Sequence, residues 1–483
     1  MNQFNLNQKL IIYFISAFIY SYFAGFSMGD DGLRHIAFSA YPDVMKSWGD
    51  VFPHSLFMMD YDPWFFWHSI ISFYLKFFSY NVVHIAINTT VLFLLMILLD
   101  LLLTKYSTLK FGTLSILIIL SIVLLSYNRY INIRPDLLSG LYLMSALLLT
   151  KRPILLFILT LLYSPSYYLF FLYTGSMGLV YLTLKDNRAF FSVFIASVIG
   201  LCVHLYLGGE GFIQTVIYVL SDQSLRMGLE VSEGEPLYDF LKIFNYYIFV
   251  IILGSIISLI IYKKYEYFKR QPIALLLLIM SILWLMQVRY FLLLLPLIIV
   301  LLVLESKFII LSILSRNILY YIFKMSHILK LASRKTVFYI LAIPYTILMF
   351  GLSMGDDKFA TTLENKSYFK NKIFDNKRIL LSAMTTDIYY GLYQNPSIKF
   401  VPSCAIGWFD GPADMKDIYI RMMKKDGISE SELEALLNYV GADYYIHTLN
   451  SARQKLSFQK MKDIGLNPLF ILNNSILFEY KHK

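Results

Sequence analysis

The stretch Met28-Gly29-Asp30-Asp31-Gly32-Leu33-Arg34-His35 sets two adjacent carboxylates, a guanidinium and an imidazole directly after the first apolar block. Paired carboxylates can take a proton from a hydroxyl or hold a divalent cation. Acidic groups at the end of a helix oppose its dipole, which argues against a purely structural role for Asp30 and Asp31. Further along, Asp60-Tyr61-Asp62-Pro63-Trp64 brings two more carboxylates beside aromatic rings, with His54 before and Trp67-His68 after. Trp64, Phe65, Phe66 and Trp67 read as the aromatic belt of a membrane interface. That belt does not account for Asp60 and Asp62, and rings beside carboxylates suit a sugar, which offers C–H faces for stacking and hydroxyls for hydrogen bonds.

Two basic groups come from later in the chain. Arg134 and Asp136, in Asn132-Ile133-Arg134-Pro135-Asp136, either pair with each other or act on a ligand, because charge at the edge of an apolar span is costly otherwise. Arg289, in Gln287-Val288-Arg289-Tyr290, either snorkels to lipid head groups or grips a phosphate through its planar fork. His35, His54 and His68 are either polar surface residues or contacts for a sugar or an acceptor.

The elements that position these groups follow from composition. Hydrophobic residues make up 58% of 483 positions and charged residues 15%, where a soluble chain carries roughly a quarter charged. Blocks such as 10–26, 82–103 and 273–288 approach the ~30 Å of a bilayer core at ~1.5 Å per residue. Backbone in lipid must satisfy its own hydrogen bonds, so these blocks read as helices. The 42 Lys and Arg outnumber 32 Asp and Glu, but they fall between apolar blocks, as in cytoplasmic loops, and this excludes a nucleic-acid reading. Residues 1–27 read as a retained first helix rather than a cleaved signal.

Placing the basic clusters on one side gives spans at 10–28, 82–104, 111–127, 136–150, 153–167, 169–184, 189–207, 240–262, 272–288, 290–304 and 336–354. The expected fold is therefore a polytopic α-helical membrane protein of about 11 transmembrane helices, N-terminus cytoplasmic, with a small C-terminal α/β soluble domain outside. The membrane domain covers 1–354 and the extracytoplasmic domain 355–483. Residues 308–325 read as an amphipathic interfacial helix, and 153–184, with Pro165 at its middle, as a tight hairpin that does not fully cross. This topology puts loop 29–80, Arg134, Asp136 and Arg289 on one side.

In the tail, strands at 378–383, 398–401 and 444–448 alternate with helices at 386–393, 415–424, 430–440 and 452–464. A final hairpin turns at Asn473-Asn474. Ser429 or Ser431 is placed to cap the 430–440 helix. No Gly-rich loop opens these helices, so no nucleotide site is expected. Cys202 and Cys404 give neither a disulfide framework nor a metal cluster.

With many spans, an acidic pair after the first helix and a soluble C-terminal domain, the chain resembles the GT-C superfamily of integral membrane glycosyltransferases, such as the protein O-mannosyltransferases and the aminoarabinose transferases of lipid A. Asp30 and Asp31 match the family's first-loop carboxylates in position and kind, and the resemblance implies that one of them is the catalytic base. Arg34 is similar to the basic or aromatic residue that often follows the pair. Arg289-Tyr290, opening a span that contains Pro296, resembles the arginine placed near the lipid phosphate, and the Arg134-Pro135-Asp136 triplet occurs in several branches. The acidic partner is Asp rather than the commoner Glu.

The resemblance implies an inverting transferase that moves a sugar from a polyprenyl-phosphate donor to a glycan, lipid or protein acceptor. The expected place is the outer face of a bacterial cytoplasmic membrane; richness in Ile, Lys, Asn, Tyr and Phe points to an AT-rich bacterial genome. Substrate contacts are expected from Arg34, His35, Asp60, Asp62, Arg134, Asp136, Arg289 and Tyr290. The resemblance fixes no cofactor. A divalent cation, Mg or Mn, is used in one branch of the family and not in others, and Asp30 and Asp31 are the residues that would hold it. A polysaccharide polymerase or ligase is a rival that would place its key arginines in a large outer loop. A lipid-linked sugar flippase would show internal repeats and charges at mid-span.

Overall fold

The computed structural model describes residues 6–24, 31–43, 48–54, 61–80, 82–107, 114–130, 133–221, 271–286, 288–304, 367–382, 387–401, 409–423, 428–448, 458–472 and 475–482. Its helical body contains Leu6–Ala24 (α1), Asp31–Ala40 (α2), Trp48–Val51 (α3), Phe65–Leu75 (α4), Val83–Tyr106 (α5), Leu114–Tyr130 (α6), Leu137–Leu148 (α7), Pro153–Tyr163 (α8), Phe170–Thr183 (α9), Asn187–Ser221 (α10), Pro272–Met286 (α11) and Val288–Leu304 (α12).

This corrects the expectation of about 11 transmembrane helices. Among the described residues, two helices are long and apolar enough to cross a membrane, Val83–Tyr106 and Asn187–Ile217. Length is the reason. The block counted as a span at α7 holds 12 residues, and the 153–184 pair, expected as a hairpin that does not fully cross, holds helices of 11 and 14; at ~1.5 Å each they fall well short of ~30 Å of hydrocarbon. Pro165 sits in a 3-10 turn, Ser164–Ser166, that separates α8 from α9. Basic punctuation thus divides the apolar sequence into pieces that fold as short packed helices. The expected elements at 240–262, 308–325 and 336–354 lie outside the described residues.

Two lysines fix the polarity of the body. Lys9 donates to Asp100 at 2.9 Å and reaches Ser115 at 3.4 Å, so the start of α1, the end of α5 and the start of α6 meet. Lys105 donates to the carbonyls of Leu147 and Leu148 at 2.9 and 3.0 Å, and the end of α7 joins them. A cation against terminal carbonyls complements the helix dipole. The opposite end therefore carries the end of α1, the start of α5 and the Arg134–Asp136 segment that leads into α7. Tyr74 of α4 donates to Thr90, near the start of α5, at 2.7 Å, which places α4 at this end too.

The C-terminal part contains Arg378–Leu381 (β1), Asp387–Gln394 (α13), Lys399–Val401 (β2), Ala413–Met423 (α14), Glu430–Val440 (α15), Tyr444–Thr448 (β3), Phe458–Asp463 (α16), Leu466–Leu472 (β4) and Ser475–Tyr480 (β5). The strands form one sheet in the order β2-β1-β3-β5-β4. β1 runs parallel to β2 and β3, and β5 runs antiparallel to β3 and β4. Successive residues of a strand point to opposite faces, and here both faces are covered. Ile379, Leu381, Phe400, Ile446 and Leu477 join the core of the helical body, while Leu380, Val401, Tyr445 and Phe478 form a second core with α14 and α15. Coverage on both sides explains the unbroken apolar run of β1, a pattern usual in parallel strands.

Between body and sheet lies α2, packed against α4 on one side and α13 on the other. Nearby, the rings of Tyr80 and Tyr393 stack at 4.3 Å, and the Tyr80 hydroxyl donates to the Tyr393 carbonyl at 2.8 Å. Tyr80→Ala removes both contacts; it should cost about 1–3 kcal/mol and make the sheet more sensitive to protease. An unchanged thermal midpoint and digestion pattern would show that this contact does not hold the two parts together.

Candidate functional site

Residues 32–39 of α2 are all buried, because helices cover both sides of this short element. Arg34 is 3% exposed and His35 1%. The 32–39 segment is therefore not part of a solvated connection. Leu33, Ile36 and Ala37 anchor α2 in the core, and Ser72 of α4 donates to the Ser39 carbonyl at 2.8 Å.

The imidazoles of His35 and His68 meet, with Nδ1 of the first 2.7 Å from Nε2 of the second. His68 Nδ1 lies 2.5 Å from Asp62 Oδ2, and Asp62 Oδ1 accepts the Trp64 backbone N–H at 2.9 Å. At the other end, Arg34 Nη2 stands 3.5 Å from His35 Nε2, and the Arg34 guanidinium carbon sits 5.3 Å from the centre of the Trp64 ring, within cation–π range. Aromatic walls close the group: Phe38 stacks on His68 at 5.3 Å, and Trp64 meets the edge of His35 at 5.3 Å. His35 is held well below the usual imidazole range, first by burial, then by the positive charge of Arg34, by His68 and by Arg134. Arg134, distant in sequence, thus acts electrostatically on the same imidazole.

Asp62 is held in register by its neighbour. The Tyr61 hydroxyl lies 2.7 Å from His204 Nδ1, and His204 Nε2 lies 3.1 Å from the Ser164 carbonyl. Since a carbonyl only accepts, Nε2 carries the His204 proton and Nδ1 accepts from Tyr61. The His204 ring is stacked between Phe170 at 5.5 Å and Phe212 at 5.1 Å. Burial raises the Tyr61 hydroxyl far above its usual range, with a smaller push from Asp62. Two glycines make the seat. A Cβ on Gly208 would stand 2.2 Å from a Tyr61 ring carbon, and Gly209 takes φ +50, where α10 departs from helical geometry.

The expected site residues divide as follows. Arg34, His35 and Asp62 are brought together through His68, and Arg134 acts electrostatically on His35. Asp136, 7% exposed, is the N-cap residue of α7 two positions from Arg134. Asp31 is described in its backbone, as the first residue of α2, and Arg289 and Tyr290 in theirs, in the first turn of α12. α12 packs against α7. Asp30 and Asp60 lie outside the described residues. His54 stands apart, its carbonyl accepting from the Asp410 N–H at 2.7 Å and its ring stacked on Phe409 of the C-terminal part. Among the described residues no group of three His, Cys, Asp or Glu is placed to hold a metal ion.

Sequence reasoning missed the Tyr61–His204 link. The signal was a lone ionisable residue inside the apolar run of α10, a position that usually demands a partner.

No protein-family model matches the chain. No curated protein sequence matches it either.

Two outcomes follow. Gly208→Ala should displace Tyr61 and lower stability by about 1–3 kcal/mol; an unchanged thermal midpoint would mean that Tyr61 is not seated there. The second concerns acid. His35, His54 and His447 all lie below their ordinary 6.5, chiefly through burial. Below that value the unfolded chain binds protons that the folded chain refuses, so their contribution is present above about 6.5 and is lost as pH falls towards the lowered values. The thermal midpoint should therefore drop between pH 7 and pH 5, before the carboxylates of Glu430 and Glu432, held below 4.5, begin to contribute. A flat profile across that window would contradict the burial of neutral imidazoles.

Proposed function

We propose that the chain transfers a sugar from a polyprenyl-phosphate donor to an acceptor hydroxyl at the outer face of a bacterial cytoplasmic membrane, with inversion. The observation that supports this reading is the Arg34 guanidinium set against His35 and Trp64, with Asp31 one turn before Arg34 on α2. A guanidinium in a carboxylate-bearing turn suits a reaction in which a phosphate departs while a hydroxyl loses its proton.

Asp30 or Asp31 takes the proton of the acceptor hydroxyl. The hydroxyl oxygen then bonds to the anomeric carbon as the bond from that carbon to the phosphate oxygen breaks. The phosphate leaves with the electron pair, and its charge is met by Arg34 and Arg134, and by Arg289 from the start of α12. Fixed donors in a water-poor site stabilise such charge without reorganising. A lipid donor requires a membrane. Two observations support one: α5 and α10 are long and apolar enough to cross, and α1 and α10 expose apolar faces, including Phe14, Phe18, Phe191 and Phe194, which a soluble surface would hide.

The test uses the full chain in lipid nanodiscs with labelled polyprenyl-phosphate sugars. Loss of the base should reduce transfer by about 10²–10⁴-fold, so whichever of Asp30→Ala and Asp31→Ala removes it should show that drop, and Arg289→Ala should also weaken transfer. Transfer that survives all three changes would sink the mechanism. Cysteines introduced at Gly355 and Lys264 should label from opposite sides of the membrane, and labelling from one side would overturn the orientation.

A further inference from the structure

With both imidazoles neutral, the contacts among Arg34, His35, His68 and Asp62 allow only one direction of hydrogen bonding. Arginine has donors and no acceptor, while an ionised carboxylate accepts and cannot donate. Arg34 Nη2 faces His35 Nε2 at 3.5 Å, so that nitrogen must be bare and the His35 proton must sit on Nδ1. His35 Nδ1 faces His68 Nε2 at 2.7 Å, so His68 accepts there and carries its own proton on Nδ1. That proton is donated to Asp62 Oδ2 at 2.5 Å. Each end of the series enforces the same polarity, and either imidazole reversed would set two protons or two lone pairs against each other.

We infer that Asp62 is a positioning residue: by fixing the tautomers of His68 and His35 in series, it presents a bare nitrogen that holds the Arg34 guanidinium. The inference deepens the reading of Arg34 as a phosphate-binding group and rests on it for the ligand. The Trp64 ring supports the guanidinium at 5.3 Å, and the same Asp62 carboxylate fixes Trp64 through its backbone N–H. One carboxylate therefore governs both surfaces that orient Arg34. Tyr61, anchored on His204, keeps Asp62 at the right depth. A guanidinium preset in this way loses little freedom when an anion arrives.

A different role for the same residues, the passage of a proton through the imidazoles, is separated by His68→Gln. The glutamine carbonyl can accept from His35 Nδ1 and its amide can donate to Asp62, so the polarity is kept and no proton can be carried. The experiment uses the full chain in nanodiscs, with histidine ¹⁵N spectra and binding of sugar-free polyprenyl phosphate as readouts. The wild type should show His35 protonated at Nδ1, and His68→Gln should keep that tautomer and bind within about threefold of wild type. His68→Leu and Asp62→Ala should mix the tautomers and weaken binding by about tenfold or more.

If His68→Gln binds as poorly as His68→Leu, or if Asp62→Ala leaves the tautomer unchanged, the positioning role is overturned. A wild-type His35 protonated at Nε2 overturns it with no variant needed, which guards against variants that fail to fold. Wild type that shows the expected tautomer yet binds no polyprenyl phosphate refutes the ligand reading alone, because the spectra test the tautomers independently.

Discussion

A guanidinium taken out of water costs several kcal/mol unless hydrogen bonds and nearby charge replace its hydration, and Arg34 is 3% exposed. Much of the surrounding architecture follows from that cost. The Trp64 ring, the His35 nitrogen and the carboxylate behind them supply what water would have supplied. Each must be fixed in place to do so. α4 brings His68, the turn before it brings Asp62 and Trp64, and the Tyr61–His204 link ties that turn to α10. The positive charge of Arg134, which also acts on His35, makes the balance harder.

The sheet belongs to this arrangement. One of its faces is part of the core of the helical body, and α13 lies against α2. The packing around α2 is thus built partly from the end of the chain. A second core on the other face, with α14 and α15, gives the sheet its own stiffness. Ser429 caps α15 with a reciprocal bond to Glu432, and the Arg421 side chain holds the Glu432 carboxyl down to about 2, with further help from Ser429.

Local signals made the tail the most legible part of the sequence. The helix expected at 430–440 matches Glu430–Val440 with Ser429 as its cap, and the strand expected at 444–448 matches Tyr444–Thr448. Period-two and period-3.6 patterns carry such information because each strand and helix there has distinct faces. The helical body was less legible for the same reason in reverse. Where every residue is apolar no face is marked, and a block of apolar sequence gives its total length without showing where Pro165 or a short turn divides it. In the candidate site, Arg34, His35 and Asp62 stand out by type, but their meeting depends on contacts between distant segments that no spacing reveals. His68 was noticed as a loop histidine; its place between His35 and Asp62 comes from the packing of α4 on α2.

The cover that α13 gives α2 has a bearing on how the molecule is made. α2 leaves the ribosome among the first elements and α13 among the last, with most of the chain between them. Throughout that interval the early helix lacks the packing that α13 later gives it. The packing around α2 is completed only when synthesis nears its end, so a chain cut short before β1 would leave a charged, half-covered helix, the kind of defect that quality control can read.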